Sequence, residues 1–183
     1  MNSKEKQEKF LELFHALNDS LYMYARALAK NSEDAEDLVS DTILVCYEKF
    51  DNLRDLTGFK GYVFKTIRSL HRQKYRRSWL FGFFDEKSSD NIVSSEPAPD
   101  LPYDIGILYK EINNLPELQK EAVVLFEISG FSIREIMQIQ GGTESGVKSR
   151  IKRGKEKLRS LMMVHHSDKD FLVFAERSEE VEK

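Results

Sequence analysis

The chain has 183 residues, of which 40% are hydrophobic and 32% are charged, and its formal net charge is −3 at pH 7. That length holds one ordinary domain or two small ones, and the high charged fraction favours small helical domains over one large core. A single cysteine, Cys46, excludes a disulfide framework and a multi-cysteine metal site. The sequence shows no signal peptide and no membrane-spanning run, so we expect a cytoplasmic protein without membrane insertion.

Helical periodicity starts close to the N-terminus. Apolar residues recur at helical steps from Phe10 to Leu28, which predicts one long amphipathic helix from about Lys4 to Lys30. Asn31 or Ser32 is expected to cap the helix that follows. The buried stripe predicted for that second helix consists of Ala35, Leu38, Val39, Thr42, Ile43, Cys46, Tyr47 and Phe50.

The other face of the second helix is acidic. Asp37 and Asp41 lie one turn apart, and Ser40 precedes Asp41. Four interpretations compete for these side chains: a solvated surface, a metal site, catalytic carboxylates, or a docking face for a basic partner. No histidine stands at ligand spacing, which weakens the metal interpretation.

A third helical segment starts at Phe59 and becomes strongly basic between Arg68 and Arg77. Aromatic residues interleaved with cations are typical of surfaces for single-stranded nucleic acid, because rings stack on bases and cations follow phosphates. The aromatic residues of this segment also suit the shared core of three packed helices. The basic end is harder to explain as core.

Residues 79–104 contain three of the four prolines, many serines and an acidic balance, which predicts an extended linker. Helical periodicity then returns from Ile105, restarts at Pro116, and stops at Gly130. Leu118, Ala122, Val123, Leu125 and Phe126 are predicted to form the apolar face of the restarted helix. Beyond residue 163 the chain becomes an acidic tail, for which disorder is the expectation.

The segment 131–163 predicts a short helix, a glycine turn and a long helix. Ser132 and Glu135 have capping-box spacing, Gly141 and Gly142 allow positive φ, and Thr143 can cap the long helix. Apolar residues recur along the long helix, and its other faces carry Lys148, Arg150, Lys152, Arg153, Lys155, Lys157 and Arg159. A solvated charged face is the alternative, but the glycine turn and the excess of positive charge favour a helix-turn-helix that binds DNA.

Three segments, taken in order, resemble the extracytoplasmic-function sigma factors of bacterial RNA polymerase. NSEDAEDLVSDTILVCYEKF resembles the family's second-region helix, and GFKGYVFKTIRSLHRQKYRR resembles its promoter-melting segment. LPELQKEAVVLFEISGFSIREIMQIQGGTESGVKSRIKRGKEKLRSL resembles the fourth-region helix-turn-helix. The resemblance implies a dissociable promoter-specificity subunit that binds core RNA polymerase and promoter DNA, both as duplex and as melted strand.

The resemblance also implies roles for individual positions. The residues expected to dock on polymerase are Asp37, Ser40 and Asp41. Those expected to read the upstream promoter element are Lys148, Ser149, Lys152 and Arg153. Those expected at the downstream element, where strands open, are Arg68, Ser69, His71, Arg72, Lys74, Arg76 and Arg77. Ser69 departs from the asparagine that many members carry, and Ser40 departs from a common glutamine.

We therefore expect an all-α protein of two small helical domains joined by a flexible linker, the second containing the helix-turn-helix. The predicted divisions are a polymerase-docking and melting domain at 1–78, the linker at 79–104, the helix-turn-helix domain at 105–163, and the tail at 164–183. We expect no enzyme activity, catalytic residue, metal or cofactor. The alternative is a free-standing helix-turn-helix regulator that binds duplex DNA without polymerase. Whether an anti-sigma factor also binds the chain stays open at this stage.

Overall fold

A computed structural model describes residues 3–29, 31–53, 55–82 and 103–163. Over these ranges the backbone forms eight α-helices and no strand, which confirms the predicted all-α class. The chain divides into two compact units, residues 1–98 and 99–183. Most of the predicted linker and the whole predicted tail lie outside the described residues. Within the described ranges, no helix combines the length and apolar character needed to cross a membrane.

The first unit contains α1 (Ser3–His15), α2 (Asn18–Leu28), α3 (Ser32–Glu48) and α4 (Phe59–Gly82), with a 3₁₀ turn at Phe50–Asn52. Helix α3 packs against both α2 and α4. The ring of Phe10 lies at the centre of an aromatic cluster, with ring centroids 5.2 Å from Tyr47 and 5.4 Å from Phe50. This cluster fixes α1 against the end of α3, because edge-to-face ring pairs stabilise beyond the area that they bury.

The prediction of one long helix over residues 4–30 is wrong, because α1 ends at His15 and α2 begins at Asn18. The Leu17 N–H donates to the Phe14 carbonyl at 2.9 Å in a tight turn. The residues that follow, Asn18 to Ser20, have short polar side chains that compete with helical hydrogen bonds, and the Ser20 hydroxyl donates to the Leu17 carbonyl at 3.0 Å. The apolar stripe continues through the break, since Phe10 and Leu21 are both buried.

The ends of α3 and α4 also differ in detail from the sequence pattern. Asn31 caps α3, because its Oδ1 accepts the Asp34 N–H at 2.7 Å. Helix α4 continues to Gly82 and so enters the segment predicted as linker from residue 79. No proline or glycine stands between Gly61 and Gly82, so no backbone feature ends the helix earlier.

The second unit contains α5 (Tyr103–Asn113), α6 (Glu117–Val123), α7 (Ile133–Gln140) and α8 (Glu144–Met163), and α6 continues into a π-helical turn at Val124–Ile128. Helix α8 packs against α5, α6 and α7, so it forms the centre of the unit. Its buried positions are Val147, Ile151, Gly154 and Leu158. The helix that presents the basic residues therefore also carries much of the core.

Leu118 does not join the apolar face predicted for α6, because its side chain is 43% exposed. Gln119 and Val123 of α6 pack closely against Gly154 of α8. A Cβ atom built on Gly154 would lie 2.6 Å from Val123 Cγ2 and 3.3 Å from the Gln119 carbonyl oxygen. Ala122, Val123 and Leu125 are buried as predicted, so only the N-terminal member of the predicted face is wrong.

Candidate nucleic-acid and docking surfaces

The predicted helix-turn-helix is present in residues 132–163. Ser132 Oγ accepts the Glu135 N–H, and Glu135 Oε2 accepts the Ser132 N–H at 2.8 Å, so the predicted capping box is confirmed. Gly141 and Gly142 have φ values of 77° and 103°, which explains why glycine occupies this turn. Thr143 Oγ1 accepts the Gly146 N–H at 3.2 Å and caps α8.

One broad face of α8 carries the four residues predicted to read the upstream element. Lys152 and Arg153 are exposed, and Lys148 and Ser149 are half-buried. All four lie away from the buried stripe of α8, because residues one and four apart project over the same half of a helix. Lys148 Nζ lies 3.2 Å from Glu144 Oε1, one helical turn earlier, in an exposed ion pair. The sequence therefore gathers these side chains at the N-terminal half of α8, where a recognition helix contacts bases.

Two other cations of α8 point toward protein groups instead. Lys155 Nζ lies 2.6 Å from Glu127 Oε1 in the π-helical turn. Arg150 Nη1 donates to Gln140 Oε1 at 3.2 Å and to the Gly141 carbonyl at 3.1 Å. Sequence periodicity placed both among the basic faces but could not assign these partners, which lie 28 and 9–10 residues away.

Burial also affects a cation on α6. Desolvation lowers the pKa of Lys120, although the carboxylates of Glu117 and Glu121 act in the opposite direction. The Lys120 ammonium donates to Asn113 Oδ1 at 3.2 Å, which links α6 to the end of α5. We assign Lys120 to the packing of the unit rather than to its outer surface.

The acidic face of α3 forms the first candidate surface of the first unit. Asp37, Ser40 and Asp41 are all exposed, as the sequence predicted. Leu44 lies on the same face, one turn after Asp41, and is 57% exposed. The sequence interpretation missed Leu44, although its position seven residues after Asp37 and outside the buried stripe could have identified it.

The basic end of α4 forms the second candidate surface, and the structure separates its predicted residues. Ser69 and Arg72 are exposed, His71 is half-buried, and Arg68 is only 8% exposed. Lys74 is exposed but turns toward α3, since its Nζ lies 3.2 Å from Asp34 Oδ1 and 4.0 Å from Asp37 Oδ2. Arg76 and Arg77 lie within the backbone of α4, but their side chains are outside the described residues.

Cys46 is a packed thiol, as predicted. Its side chain is fully buried, and burial raises the pKa of the thiol to about 11, although a hydrogen bond with Thr66 acts in the opposite direction. A thiol with so little thiolate is a poor nucleophile and metal ligand at neutral pH. Over the part of the chain that the structure describes, no group of three acidic, histidine or cysteine side chains is arranged to hold a metal ion.

Comparison with known families identifies both units. Residues 13–81 match the family Sigma-70 region 2, and residues 105–158 match the family Sigma-70, region 4. The chain is 28% identical over 145 residues to the ECF RNA polymerase sigma factor EcfG of Rhodopseudomonas palustris, an alignment that covers 79% of this chain and 80% of that relative. It is 30% identical over 162 residues to the ECF RNA polymerase sigma factor SigE of Mycolicibacterium smegmatis, covering 86% of this chain and 63% of that relative.

A solved structure shows the same fold. The sigma factor RpoE from Bartonella quintana, crystallised in complex with the anti-sigma factor NepR, superposes with a TM-score of 0.71 at 27% sequence identity. The superposition covers 89% of this chain and 99% of that protein.

Proposed function

This chain is a member of the extracytoplasmic-function sigma factors of RNA polymerase, and from that premise we propose which of its residues act in each step of transcription initiation. Family membership makes it an RNA polymerase sigma factor that acts on promoter DNA. Sigma factors are non-catalytic initiation factors, and we propose that catalysis belongs entirely to the polymerase partner. The division proposed is docking and melting by residues 1–78 and upstream recognition by 105–163, with 79–104 as linker and 164–183 as tail.

The upstream promoter element is read by Lys148, Ser149, Lys152 and Arg153. The observation that supports this role is the single outer face that these four residues share on α8, beginning one turn after the Thr143 cap. Side chains at that position of a recognition helix reach base edges in the major groove. Lys152 and Arg153 carry most of the contact, because both are exposed whereas Lys148 and Ser149 are half-buried.

The downstream element meets the basic end of α4. Ser69 and Arg72 provide exposed contacts, while Arg68 is buried and His71 is half-buried. Lys74 reaches phosphate only by giving up its ion pairs with Asp34 and Asp37, and exposed pairs of this kind contribute about 0–1 kcal/mol. Arg76 and Arg77 complete the proposed set.

Core polymerase docks on Asp37, Ser40 and Asp41, and we add Leu44 to this surface. An exposed leucine surrounded by carboxylates suits a basic partner surface with an apolar centre. The carboxylates would favour the rate and register of association, and the leucine would add buried apolar area. Docking on polymerase implies a cytoplasmic location for this chain, as proposed from the sequence.

Similarity to the Bartonella complex suggests a further protein partner. We propose that an anti-sigma factor binds this chain as NepR binds RpoE in that structure. Co-purification of a protein from the source cells that inhibits promoter-dependent transcription by this chain would support the proposal. Full activity of the chain in the presence of every co-purifying protein would contradict it.

Transcription by purified bacterial core polymerase, with and without this chain, tests the proposed function. The template pool contains promoters from the source genome, and permanganate detects unpaired thymines upstream of each start. New start sites with reactive thymines that depend on the chain are the expected result. Sequence-specific duplex binding by the chain alone, without any new start site, would instead indicate the free-standing regulator, which the match of residues 13–81 to Sigma-70 region 2 disfavours.

A further inference from the structure

A chain of hydrogen bonds crosses the helix-turn-helix from α6 to α8. Gln140, the last residue of α7, donates from Nε2 to Glu121 Oε2 at 2.9 Å and to the Leu118 carbonyl at 3.1 Å. Its Oε1 accepts from Arg150 Nη1 at 3.2 Å. One amide therefore links the fully buried Glu121 on α6 to Arg150 on the recognition helix.

The Arg150 guanidinium also closes the glycine turn. Its Nη1 donates to the Gly141 carbonyl at 3.1 Å, and this carbonyl directly follows the C-terminus of α7, where cations are favourable. A Cβ atom built on Gly142 would lie 3.0 Å from Arg150 Nη2, so the guanidinium occupies the space that a side chain would need. A larger residue at position 142 would therefore have to displace the Arg150 guanidinium.

Arg150 lies on the opposite side of α8 from Lys148 and Lys152. At 100° per residue, Arg150 stands about 160° to 200° around the helix from these two lysines. Its donors are directed at Gln140 and Gly141 on the protein side, and its side chain is half-buried. Both hydrogens of Nη1 are thus used within the protein.

We propose that Arg150 is a positioning residue, which sets the angle of α8 against α6 and α7 through Gln140 and so controls how well the upstream element is read. The inference rests on the proposed function of α8 as the recognition helix. Both bonds come from Nη1, which lies one bond farther from the backbone than a lysine Nζ and holds its two hydrogens in the guanidinium plane. A lysine ammonium is a point charge on a shorter, flexible stem, so we expect it to replace this arginine poorly.

The test uses the complex of the full chain with core polymerase. The probe is a duplex DNA selected from a random-sequence pool by the wild-type complex, and a duplex of the same composition in scrambled order serves as reference. The variants are Arg150→Lys, Arg150→Gln and Gln140→Ala, together with the double variant of Gln140→Ala and Arg150→Gln. Lys152→Ala is the control for a direct DNA contact, and the thermal unfolding of each variant reports folding.

Arg150→Lys and Arg150→Gln are both expected to weaken binding of the selected duplex roughly fivefold to tenfold, as the loss of one or two hydrogen bonds implies. Binding of the scrambled duplex should change less than about twofold, since the phosphate contacts persist. Gln140→Ala should produce a similar loss, and the double variant should lose little more, because both residues act through one network.

Recovery of wild-type binding by Arg150→Lys would overturn the inference, because it would show that positive charge alone is needed, as in a phosphate contact. Wild-type selectivity in every Arg150 and Gln140 variant, with a loss in Lys152→Ala, would also overturn it while leaving the proposed function intact. If Lys152→Ala likewise left selectivity unchanged, α8 would not be the reading helix, and both proposals would fall.

Discussion

Lys155 Nζ lies 2.6 Å from Glu127 Oε1, and the two side chains are only 14% and 8% exposed. This pair fastens the middle of α8 to the π-helical turn that follows α6. Removing charges from water costs free energy that their attraction recovers only while both partners are present. The pair is therefore a point where a single substitution should have a large effect on the second unit.

Lys155→Met should destabilise the second unit by about 2–4 kcal/mol, because it leaves the Glu127 carboxylate nearly buried without its ammonium partner. Urea unfolding followed by circular dichroism measures the loss. Lys157→Met is the matched control, since Lys157 is an exposed lysine of the same helix and surface substitutions usually change stability by about 0.5 kcal/mol or less. Equal losses for the two variants would show that the ion pair has no special role.

Gly154→Ala should also destabilise the second unit. The added methyl would lie 2.6 Å from Val123 Cγ2, and forcing an extra carbon into a packed core costs about 1–3 kcal/mol, more than the roughly 1 kcal/mol that alanine gains over glycine in a helix. Gly61→Ala in α4 is the control, because no neighbouring group lies within 4 Å of the position that its added methyl would take. Thermal unfolding should show a lower midpoint for Gly154→Ala and an unchanged or higher one for Gly61→Ala; the reverse order would refute the close helix contact.

Stability should fall with rising pH between about 9 and 11 because of Cys46. The unfolded chain releases the thiol proton near the ordinary pKa of 9.0, whereas burial holds the folded pKa at about 11. The unfolded state therefore binds fewer protons in this window, and up to about 2 kcal/mol is lost as the pH rises through it.

The slope of unfolding free energy against pH checks this effect. Cys46→Ala removes the titrating group, so its slope between pH 9 and 11 should be shallower even if the small cavity lowers stability at every pH. Part of the slope should persist, since burial also raises the pKa of Tyr62. An identical slope in wild type and variant would contradict the prediction.

Reversing both charges by Asp37→Lys and Asp41→Lys should weaken binding to core polymerase. Rim charges act mainly on the association rate, so we expect a loss of about tenfold or more that shrinks at high salt. The control is Glu8→Lys with Glu12→Lys, which reverses two exposed carboxylates at the same spacing on α1. Surface-immobilised core polymerase measures both rates, and equal losses for the two pairs would mean that only net charge matters.

Local chemistry explains which parts of the fold the sequence could predict. The capping box of Ser132 and Glu135, the cap at Asn31 and the glycine turn depend on residues within three or four positions of one another. The break at Leu17 was missed because apolar periodicity continues through it, and only the polar residues after it disfavour the helix interior.

Tertiary partners explain what the sequence could not predict. Lys74 and Asp34 are 40 residues apart, and Lys155 and Glu127 are 28 apart, so no helical pattern pairs them. Helical periodicity alone therefore does not separate the lysines and arginines of α4 and α8 that have protein partners from those that do not. Only packing separates those that face outward, such as Arg72 and Arg153, from those that hold the protein together, such as Arg150.

The close contact at Gly154 separates the positions of α8 that tolerate substitution from those that do not. The backbone of α8 is held against α6 at that glycine, while Val147 and Ile151 anchor the turn before it. The outward positions between the Thr143 cap and Gly154 can then be exchanged without disturbing the scaffold. Engineered promoter preference in this protein should accordingly be obtainable by replacing the residues at 148, 149, 152 and 153 as a cassette, with the anchors and Arg150 retained.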